Sequence, residues 1–203
     1  MNIYFIGGSP CAGKSTVADI LSKQYDLYYF KVDERLDEYT HRGALMDREI
    51  CKKQDEMGAE QIWMREPVLQ CKEEFLFYEE INDFLMEDLS KACEGKAIIT
   101  EGAAYVPHIM KKLQIPKDRY FVITPEKEFQ ISHFKQRDWI PYVLEGCSDM
   151  EKAFSNWMER DALFAEKVNQ ECIELGYPLI RNAGQLSVDE LVHMVSDSFG
   201  LTG

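Results

Sequence analysis

Gly8-Ser9-Pro10-Cys11-Ala12-Gly13-Lys14-Ser15-Thr16 is the stretch that decides the fold. It fits the phosphate-binding loop pattern G-x-x-x-x-G-K-[ST], also called Walker A. Residues 2–6 before it form a short, largely apolar run that indicates a buried strand, and apolar residues recur after it at helical spacing. Such a strand–loop–helix unit points backbone N–H groups at an anion, and the helix N-terminus adds partial positive charge. We therefore expect residues 8–16 to bind the phosphates of ATP or GTP.

Three side chains of this loop have predicted roles. Lys14 is placed to reach the outer phosphates, and the Ser15 hydroxyl is placed to ligate Mg²⁺. Cys11 lies near a helix N-terminus and close to Lys14, surroundings that lower the pKa of a thiol. Alkylation of Cys11 is therefore predicted to block nucleotide binding, and bound nucleotide to protect it. The alternative is that Cys11 is only a small residue filling a loop position.

Composition narrows the class of protein. Of 203 residues, 45% are hydrophobic and 12% aromatic, which is typical of a folded chain. Lys and Arg number 23 against 36 Asp and Glu, giving a net charge of −13. This acidity argues against a general nucleic-acid binder, which needs a basic surface. A local phosphate-binding loop is still compatible with an acidic protein.

The sequence also predicts a cytoplasmic protein without a membrane partner. Met1 leads straight into the first strand with no basic and apolar leader, and no apolar run approaches membrane-spanning length. The cysteines are widely spread, contain no C-x-x-C pair and are expected to be reduced thiols. They are Cys11, Cys51, Cys71, Cys93, Cys147 and Cys172.

Strand and helix patterns alternate along the chain and predict an α/β fold, with a parallel sheet covered by helices on both faces. We expect Thr124-Pro125 to open a helix that runs to about Arg137, and two capping boxes, Ser148-x-x-Glu151 and Ser187-x-x-Glu190, to open two later ones. Residues 36–95 show no strand pattern and are predicted to be a crossover helix with an inserted helical substrate-binding region. The predicted strands cover about 2–6, 27–32, 96–100, 119–123 and 177–180.

Two carboxylates stand where functional acids are expected. Asp33 follows the second strand and Glu101 follows the third, and ligands of open α/β sheets bind beyond the carboxyl ends of strands. Either residue could organise Mg²⁺, and Asp33 could also accept the proton of a hydroxyl group. The alternative for both is a helix cap or a solvated charge.

Two arginines between the fourth and fifth strands, Arg137 and Arg160, are candidates for stabilising charge on a transferring phosphoryl group. Residues 137–160 are predicted to form a lid that excludes water. The alternative is that each arginine forms an ion pair on a helix surface.

The chain resembles the small P-loop kinases, which include nucleoside and nucleotide kinases with shikimate, gluconate and dephospho-coenzyme A kinases as relatives. The resemblance covers nearly the whole length and rests on the phosphate loop, Asp33, Glu101-Gly102 and the arginines of the lid. It implies a single kinase domain with ATP and Mg²⁺ as cofactors, a five-stranded parallel sheet in the order 2-3-1-4-5, and adenine held near Asn182.

The acceptor stays open at this point. Glu101-Gly102 is not followed by the arginine that many monophosphate kinases carry in this region, and no arginine cluster stands out downstream of Asp33. A hydroxyl acceptor needs a base such as Asp33, whereas a phosphate acceptor needs arginines. We favour a small-molecule hydroxyl acceptor and expect a monomer or homodimer.

Two other classes of function remain as alternatives. One is a GTPase-like switch, for which Asp55-Glu56-Met57-Gly58 fits D-x-x-G, although no strand precedes it and no Asn-Lys-x-Asp motif occurs. The other is a nucleotide-binding interaction module without catalysis. Intact Lys14 and Ser15 argue against a silent module.

Overall fold

A five-stranded parallel sheet forms the centre of the molecule. The structure, a computed structural model, describes residues 2–92 and 95–201. The strand order is 2-3-1-4-5, as predicted, and all neighbouring strands are parallel. The strands are β1 (Ile3–Gly7), β2 (Tyr28–Lys31), β3 (Ile98–Glu101), β4 (Tyr120–Pro125) and β5 (Leu179–Asn182).

Helices cover both faces of the sheet, which confirms the predicted class. Side chains alternate along β1, so that Ile3 and Phe5 pack on one face while Tyr4 and Ile6 pack on the other. Helices α1 and α10 cover the second face, and α2, α5, α6 and α9 cover the first. The helices are α1 (Lys14–Gln24), α2 (Leu36–Leu45), α3 (Glu49–Glu56), α4 (Ala59–Trp63), α5 (Pro67–Ala92), α6 (Pro107–Lys112), α7 (Lys127–Phe134), α8 (Ile140–Val143), α9 (Met150–Leu175) and α10 (Val188–Ser198).

The register places the functional positions at one edge of the sheet. Ile6 of β1 pairs with Glu101 of β3, and Lys31 of β2 pairs with the same Glu101. Asp33 follows β2 in a 3-10 turn, Asp33–Arg35, that leads into α2. The ends of β1, β2 and β3 therefore meet where the phosphate loop begins.

Two helix starts were predicted wrongly. Thr124-Pro125 does not open a helix, because β4 continues to Pro125 and α7 starts at Lys127. The Thr124 hydroxyl donates instead to Asn169 Oδ1 of α9, at 2.8 Å. α7 ends at Phe134 rather than near Arg137.

The second error concerns the start of α9. Its N-cap is Asp149, whose side chain accepts from the Lys152 N–H, and not Ser148. The Ser148 backbone N–H and hydroxyl both donate to the Glu60 carboxylate of α4, at 2.7 and 2.9 Å. The capping box at Ser187 and Glu190 is present as predicted.

Among the described residues, none of the helices combines the length and the apolar character that crossing a lipid bilayer requires. The described cysteines, which are Cys11, Cys51, Cys71, Cys147 and Cys172, are all free thiols, as expected. Cys93 lies outside the described residues.

Candidate functional site

The phosphate loop joins β1 to α1 as predicted and depends on glycine at its first position. Gly8 has φ +119°, and a Cβ there would lie 1.9 Å from the Ile123 carbonyl oxygen of β4. Gly13 has φ +97° and immediately precedes α1. The loop is thus pressed against the edge of the sheet, so its backbone can occupy this position only without a side chain at residue 8.

We predict that Gly8→Ala lowers the free energy of unfolding much more than a matched glycine substitution. The positive φ alone costs about 1–3 kcal/mol, and the overlap with Ile123 adds a displacement of the loop. Gly95→Ala is the control, because Gly95 has φ +107° and no atom of the described residues lies within 4 Å of its would-be Cβ. Urea unfolding of both variants measures the difference, and equal losses would show that the contact with Ile123 is unimportant.

Lys14 and Asn182 hold the loop through its own carbonyl groups. The Lys14 ammonium is buried and donates to the Ser9 carbonyl oxygen at 2.8 Å. Asn182, at the end of β5, donates to the Ala12 carbonyl oxygen at 3.2 Å and accepts from the Gly184 N–H at 2.9 Å. Both ends of the Asn182 amide are therefore engaged by the protein, which makes Asn182 a tether for the loop.

A second support reaches the loop from behind. The Gln130 side-chain amide of α7 donates to Asp161 Oδ2 of α9 at 2.9 Å and to the Pro10 carbonyl oxygen at 3.4 Å. The Ser9 hydroxyl donates to the Asp161 carbonyl oxygen at 3.4 Å. Burial raises the pKa of Asp161 to about 7, although the Arg160 guanidinium opposes the shift. The sequence offered no signal for Gln130 or Asp161, whose roles depend on where α7 and α9 pack.

The loop forms one wall of a cavity of about 480 Å³, here called the phosphate cavity. The end of β3, the loop after β5 and the region around α7 form the other walls. Its lining includes residues 10–17, Asp33, Glu101, Phe129, His133, Arg137, Asn182, Gly184 and Leu186. Of the predicted site residues, Gly8, Ser9 and Arg160 do not line this cavity, and the others do.

The two candidate carboxylates lie beside Lys14 and Ser15. Asp33 is exposed to the cavity, but the surrounding protein desolvates its carboxylate and raises its pKa, while Lys14 lowers the pKa and Glu101 raises it. Glu101 is 4% exposed, and its carboxylate accepts from the Tyr29 hydroxyl at 3.0 Å. Tyr29 in turn lies next to the Ser15 hydroxyl.

This set of groups fits a magnesium ion. A buried carboxylate is costly without a cation or several donors, and Glu101 has the Tyr29 hydroxyl as its one hydrogen-bond donor in the described part of the chain. Carboxylate and hydroxyl oxygens are the ligands that Mg²⁺ prefers. Ser15, Glu101 and Asp33 are thus suitable to hold it, directly or through water.

Arg137 lies in the segment after α7 and lines the phosphate cavity. Its guanidinium packs over the rings of Phe134 and Trp139, at 5.1 and 5.4 Å from the ring centroids. Its charge also acts on Cys11 of the phosphate loop. The exposed Arg137 side chain therefore stands at the mouth of the cavity.

The prediction of an activated Cys11 thiol is wrong. Burial raises the pKa of Cys11, and the opposing charges of Arg137 and Lys14 do not reverse the shift. The reason is tertiary packing, because the Cys11 side chain contacts the apolar cluster around Phe134 and Trp157. A helix N-terminus lowers a thiol pKa only where the thiol stays solvated.

We now predict that iodoacetamide modifies Cys11 more slowly at neutral pH than it modifies free cysteine, and that bound nucleotide slows the reaction further. The raised pKa leaves little thiolate, and Cys11 lines the cavity. Peptide mass spectrometry of Cys11 with and without Mg-ATP measures both effects. Modification faster than that of free cysteine, or unaffected by nucleotide, would contradict the prediction.

Arg160 lies outside the phosphate cavity, in the middle of α9. Its guanidinium lies between two carboxylates and is largely buried, with Nη1 2.7 Å from Glu74 Oε2 and Nε 2.7 Å from Asp161 Oδ1. Burial lowers the pKa of Arg160, but the neighbouring carboxylates of Asp161 and Glu74 outweigh burial and raise this pKa above its usual value. Glu74 also accepts from the Tyr78 hydroxyl at 2.9 Å. Arg160 is therefore the centre of a buried ionic cluster.

Arg160 lines a second cavity of about 410 Å³, here called the helical cavity. It is formed by α2, α3, α4 and α5 of the predicted substrate-binding region together with α9. Its lining includes Asp37, Asp55, Trp63, Arg65, Gln70, Glu73, Glu74, Phe77, Tyr78 and Arg160. Asp55 and Met57 of the D-x-x-G match thus lie in the helical cavity and not at the phosphate loop.

The two cavities lie next to each other. Asp33 lines the phosphate cavity, and Asp37, about one helical turn later, lines the helical cavity. On the other side, Arg160 lines the helical cavity while Asp161 supports the phosphate loop. The linings of the two cavities therefore contain residues that are close together in the chain at two places, near Asp33 and near Arg160.

Comparisons with known proteins identify the fold. No protein-family model and no curated protein sequence matches this chain. Among solved structures, it is similar to shikimate kinase from Bacteroides thetaiotaomicron, with a TM-score of 0.54, 13% identity and 98% coverage of both chains. It is also similar to deoxyadenosine kinase from M. mycoides with bound dATP, with a TM-score of 0.52, 16% identity, and coverage of 98% of this chain and 99% of that chain. The chain therefore has the fold of the P-loop nucleoside and nucleotide kinases.

Proposed function

We propose that this protein is a kinase that transfers the γ-phosphoryl group of ATP to a small molecule. The observation that carries the proposal is the phosphate cavity, where Lys14 and Ser15 face two carboxylates, Asp33 and Glu101. A second cavity, the helical cavity, adjoins it and is proposed to hold the acceptor. The kinase fold of the solved structures supports the same function.

Each protein group has a proposed role in the reaction. The N–H groups of residues 8–16 and the Lys14 ammonium hold the phosphates of ATP, while Arg137 at the cavity mouth neutralises charge on the transferring group. The adenine lies toward Gly184 and Leu186. Asp33 accepts the proton of the acceptor hydroxyl, and its raised pKa makes it a stronger base.

The proposed metal is Mg²⁺, held by Ser15 with Glu101 or Asp33. When bound, it supplies positive charge beside the phosphates of ATP.

The lid of residues 137–160 is proposed to exclude water, which would otherwise take the phosphoryl group. Within this segment, Arg160 is proposed to support Asp161 and the phosphate loop. The single domain, the cytoplasmic location and the monomer or homodimer state stay predictions from the sequence.

ADP formation from Mg-ATP against pooled acceptors tests the proposal. The pools are nucleosides, nucleoside monophosphates, and hydroxylated metabolites and antibiotics, each assayed with the wild type and with Lys14→Ala. We expect one pool to give turnover that the variant lacks. ATP binding without turnover in any pool would instead favour a nucleotide-binding module without catalysis.

A further inference from the structure

The helical cavity has an excess of negative charge. Four acidic and two basic residues line it. Both basic residues already have partners: Arg160 is paired with Glu74 and Asp161, and Arg65 contacts Glu73. The Glu73 carboxylate also contacts the Lys53 ammonium, at 2.5 Å. Burial raises the pKa of Glu73, but Lys53 and Arg65 outweigh burial and hold this pKa below its usual value. Both guanidinium charges are therefore compensated by carboxylates of the protein, and a phosphate or carboxylate of a ligand would meet an excess of negative charge.

Several acceptor oxygens in the cavity wall have few or no donors within the described part of the chain. Gln70 is 4% exposed, and its Nε2 donates to the Arg65 carbonyl oxygen at 2.8 Å, which fixes the orientation of the amide. Its Oε1 is buried and has no donor among the described residues. Asp37 has neither an ion pair nor a side-chain hydrogen bond to any described residue, and Asp55 has only His41 at 3.4 Å. A compound that satisfies these groups must bring its own N–H or O–H donors.

The cavity also has aromatic walls, beside Thr40, Gln54, Met57 and Ile62. Trp63, Phe77 and Tyr78 line the cavity. One ring is held rigidly, because Trp63 stacks on Trp157 at 4.4 Å, and the Asn156 side-chain amide donates to the Trp63 carbonyl oxygen at 2.9 Å. Rigid aromatic walls suit a flat ring, which they contact without losing side-chain entropy.

We infer that the acceptor is a neutral or positively charged alcohol with a flat ring and several N–H or O–H donors, and that it carries no phosphate or carboxylate. The inference rests on the proposed function, because it assigns the helical cavity to the acceptor. The phosphorylated hydroxyl is the one that reaches toward Asp33. Its oxygen bonds to the γ-phosphorus as the bond to the ADP oxygen breaks, and Asp33 takes the hydroxyl proton.

The test compares each unphosphorylated probe with its own phosphate ester. The probe pairs are adenosine and AMP, cytidine and CMP, and pyridoxamine and pyridoxamine 5′-phosphate, with shikimate as an alcohol that carries a carboxylate. Binding is measured by calorimetry on Lys14→Ala, because Lys14 does not line the helical cavity and the result then does not require phosphoryl transfer. ADP formation by the wild type is measured in parallel and tests the proposed function separately.

We expect at least one unphosphorylated probe to bind, and its phosphate ester to bind with a Kd at least about tenfold higher. A tenfold change in Kd corresponds to about 1.4 kcal/mol of binding free energy. Asp37→Asn should then reduce the ratio of the two Kd values within that pair about fivefold. Removing one negative charge near solvent weakens the repulsion of the ester phosphate by about 1 kcal/mol. The matched control is Asp26→Asn, which removes the same charge from an exposed residue before β2, at the opposite edge of the sheet.

Three results would overturn the inference. The first is that a phosphate ester or shikimate binds as tightly as the best of adenosine, cytidine and pyridoxamine. The second is that none of these three alcohols binds. The third is that Asp37→Asn changes the difference in affinity no more than Asp26→Asn does. The proposed kinase activity would survive the first of these results if an ester then supported ADP formation. It would fail separately if probes bound but the wild type formed no ADP with any of them.

Discussion

Lys14→Ala will lower the rate of ADP formation with the responding acceptor pool by at least about 100-fold, the usual effect of losing one transition-state donor. The Lys14 ammonium is buried beside the loop that is proposed to hold the phosphates, with its Nζ 2.8 Å from the Ser9 carbonyl oxygen. Alanine cannot bring positive charge to the γ-phosphate. The measurement is the initial rate at saturating Mg-ATP, and circular dichroism and a thermal melt check that the variant folds.

Lys23→Ala is the matched control for this prediction. Lys23 lies on the same helix, α1, and its exposed ammonium pairs with Asp19 at 2.6 Å. Exposed pairs of this kind contribute little to stability, so Lys23→Ala should keep the wild-type rate. A Lys14→Ala protein that is folded and retains a tenth or more of the activity would rule out the proposed role of Lys14.

Arg160→Met will lower the free energy of unfolding by about 3–5 kcal/mol, the cost of breaking a buried ionic group by removing one partner. Methionine keeps much of the aliphatic volume but leaves the carboxylates of Glu74 and Asp161 without their cation. Urea unfolding at pH 8 measures the loss. The control is Arg181→Met, because the Arg181 pair with Glu166 is exposed and spans 3.3 Å.

The pH dependence separates lost charge from lost packing. Burial already raises the pKa of Asp161 in the folded protein above its value of 3.8 in an unfolded chain, and removing Arg160 takes away the charge that opposes this shift. A carboxyl group with a raised folded pKa stabilises the fold most at low pH, and that stability is lost as the pH rises through the folded pKa. The destabilisation by Arg160→Met should therefore shrink as the pH falls from 8 to 5. A loss that is the same at both values would mean that packing, not charge, explains it.

Much of the phosphate cavity was predictable because its residues follow strand ends directly. Glu101 ends β3, Asp33 lies two residues after β2, and the loop that leads to Lys14 follows β1, while parallel strands bring their carboxyl ends to one edge. Arg137 follows α7 and lines the same cavity. The order of strands and helices is encoded in local spacing, which is why it could be read without the structure.

Local patterns misled where a distant partner competed for the same side chain. Ser148 has the sequence context of an N-cap, but Glu60 of α4 takes its donors. Thr124 likewise precedes a proline, but its hydroxyl bonds to Asn169 while the backbone pairs with β5. Cys11 has the neighbours of an activated thiol, but tertiary packing buries it and raises its pKa. In each case a contact between distant residues outweighed the local preference.

The sequence by itself determined the phosphate loop, the parallel α/β sheet and the carboxylates at the strand ends, because these follow from local residue patterns and from the order of those patterns along the chain. Only the tertiary structure placed Arg160 between the carboxylates of Glu74 and Asp161, set Gln130 and Asp161 behind the loop, and enclosed the helical cavity. Ser9 and Asp161 are 152 positions apart, and Ala12 and Asn182 are 170 apart. Contacts across such separations depend on how whole helices pack against the sheet, and no local pattern in the sequence records that packing.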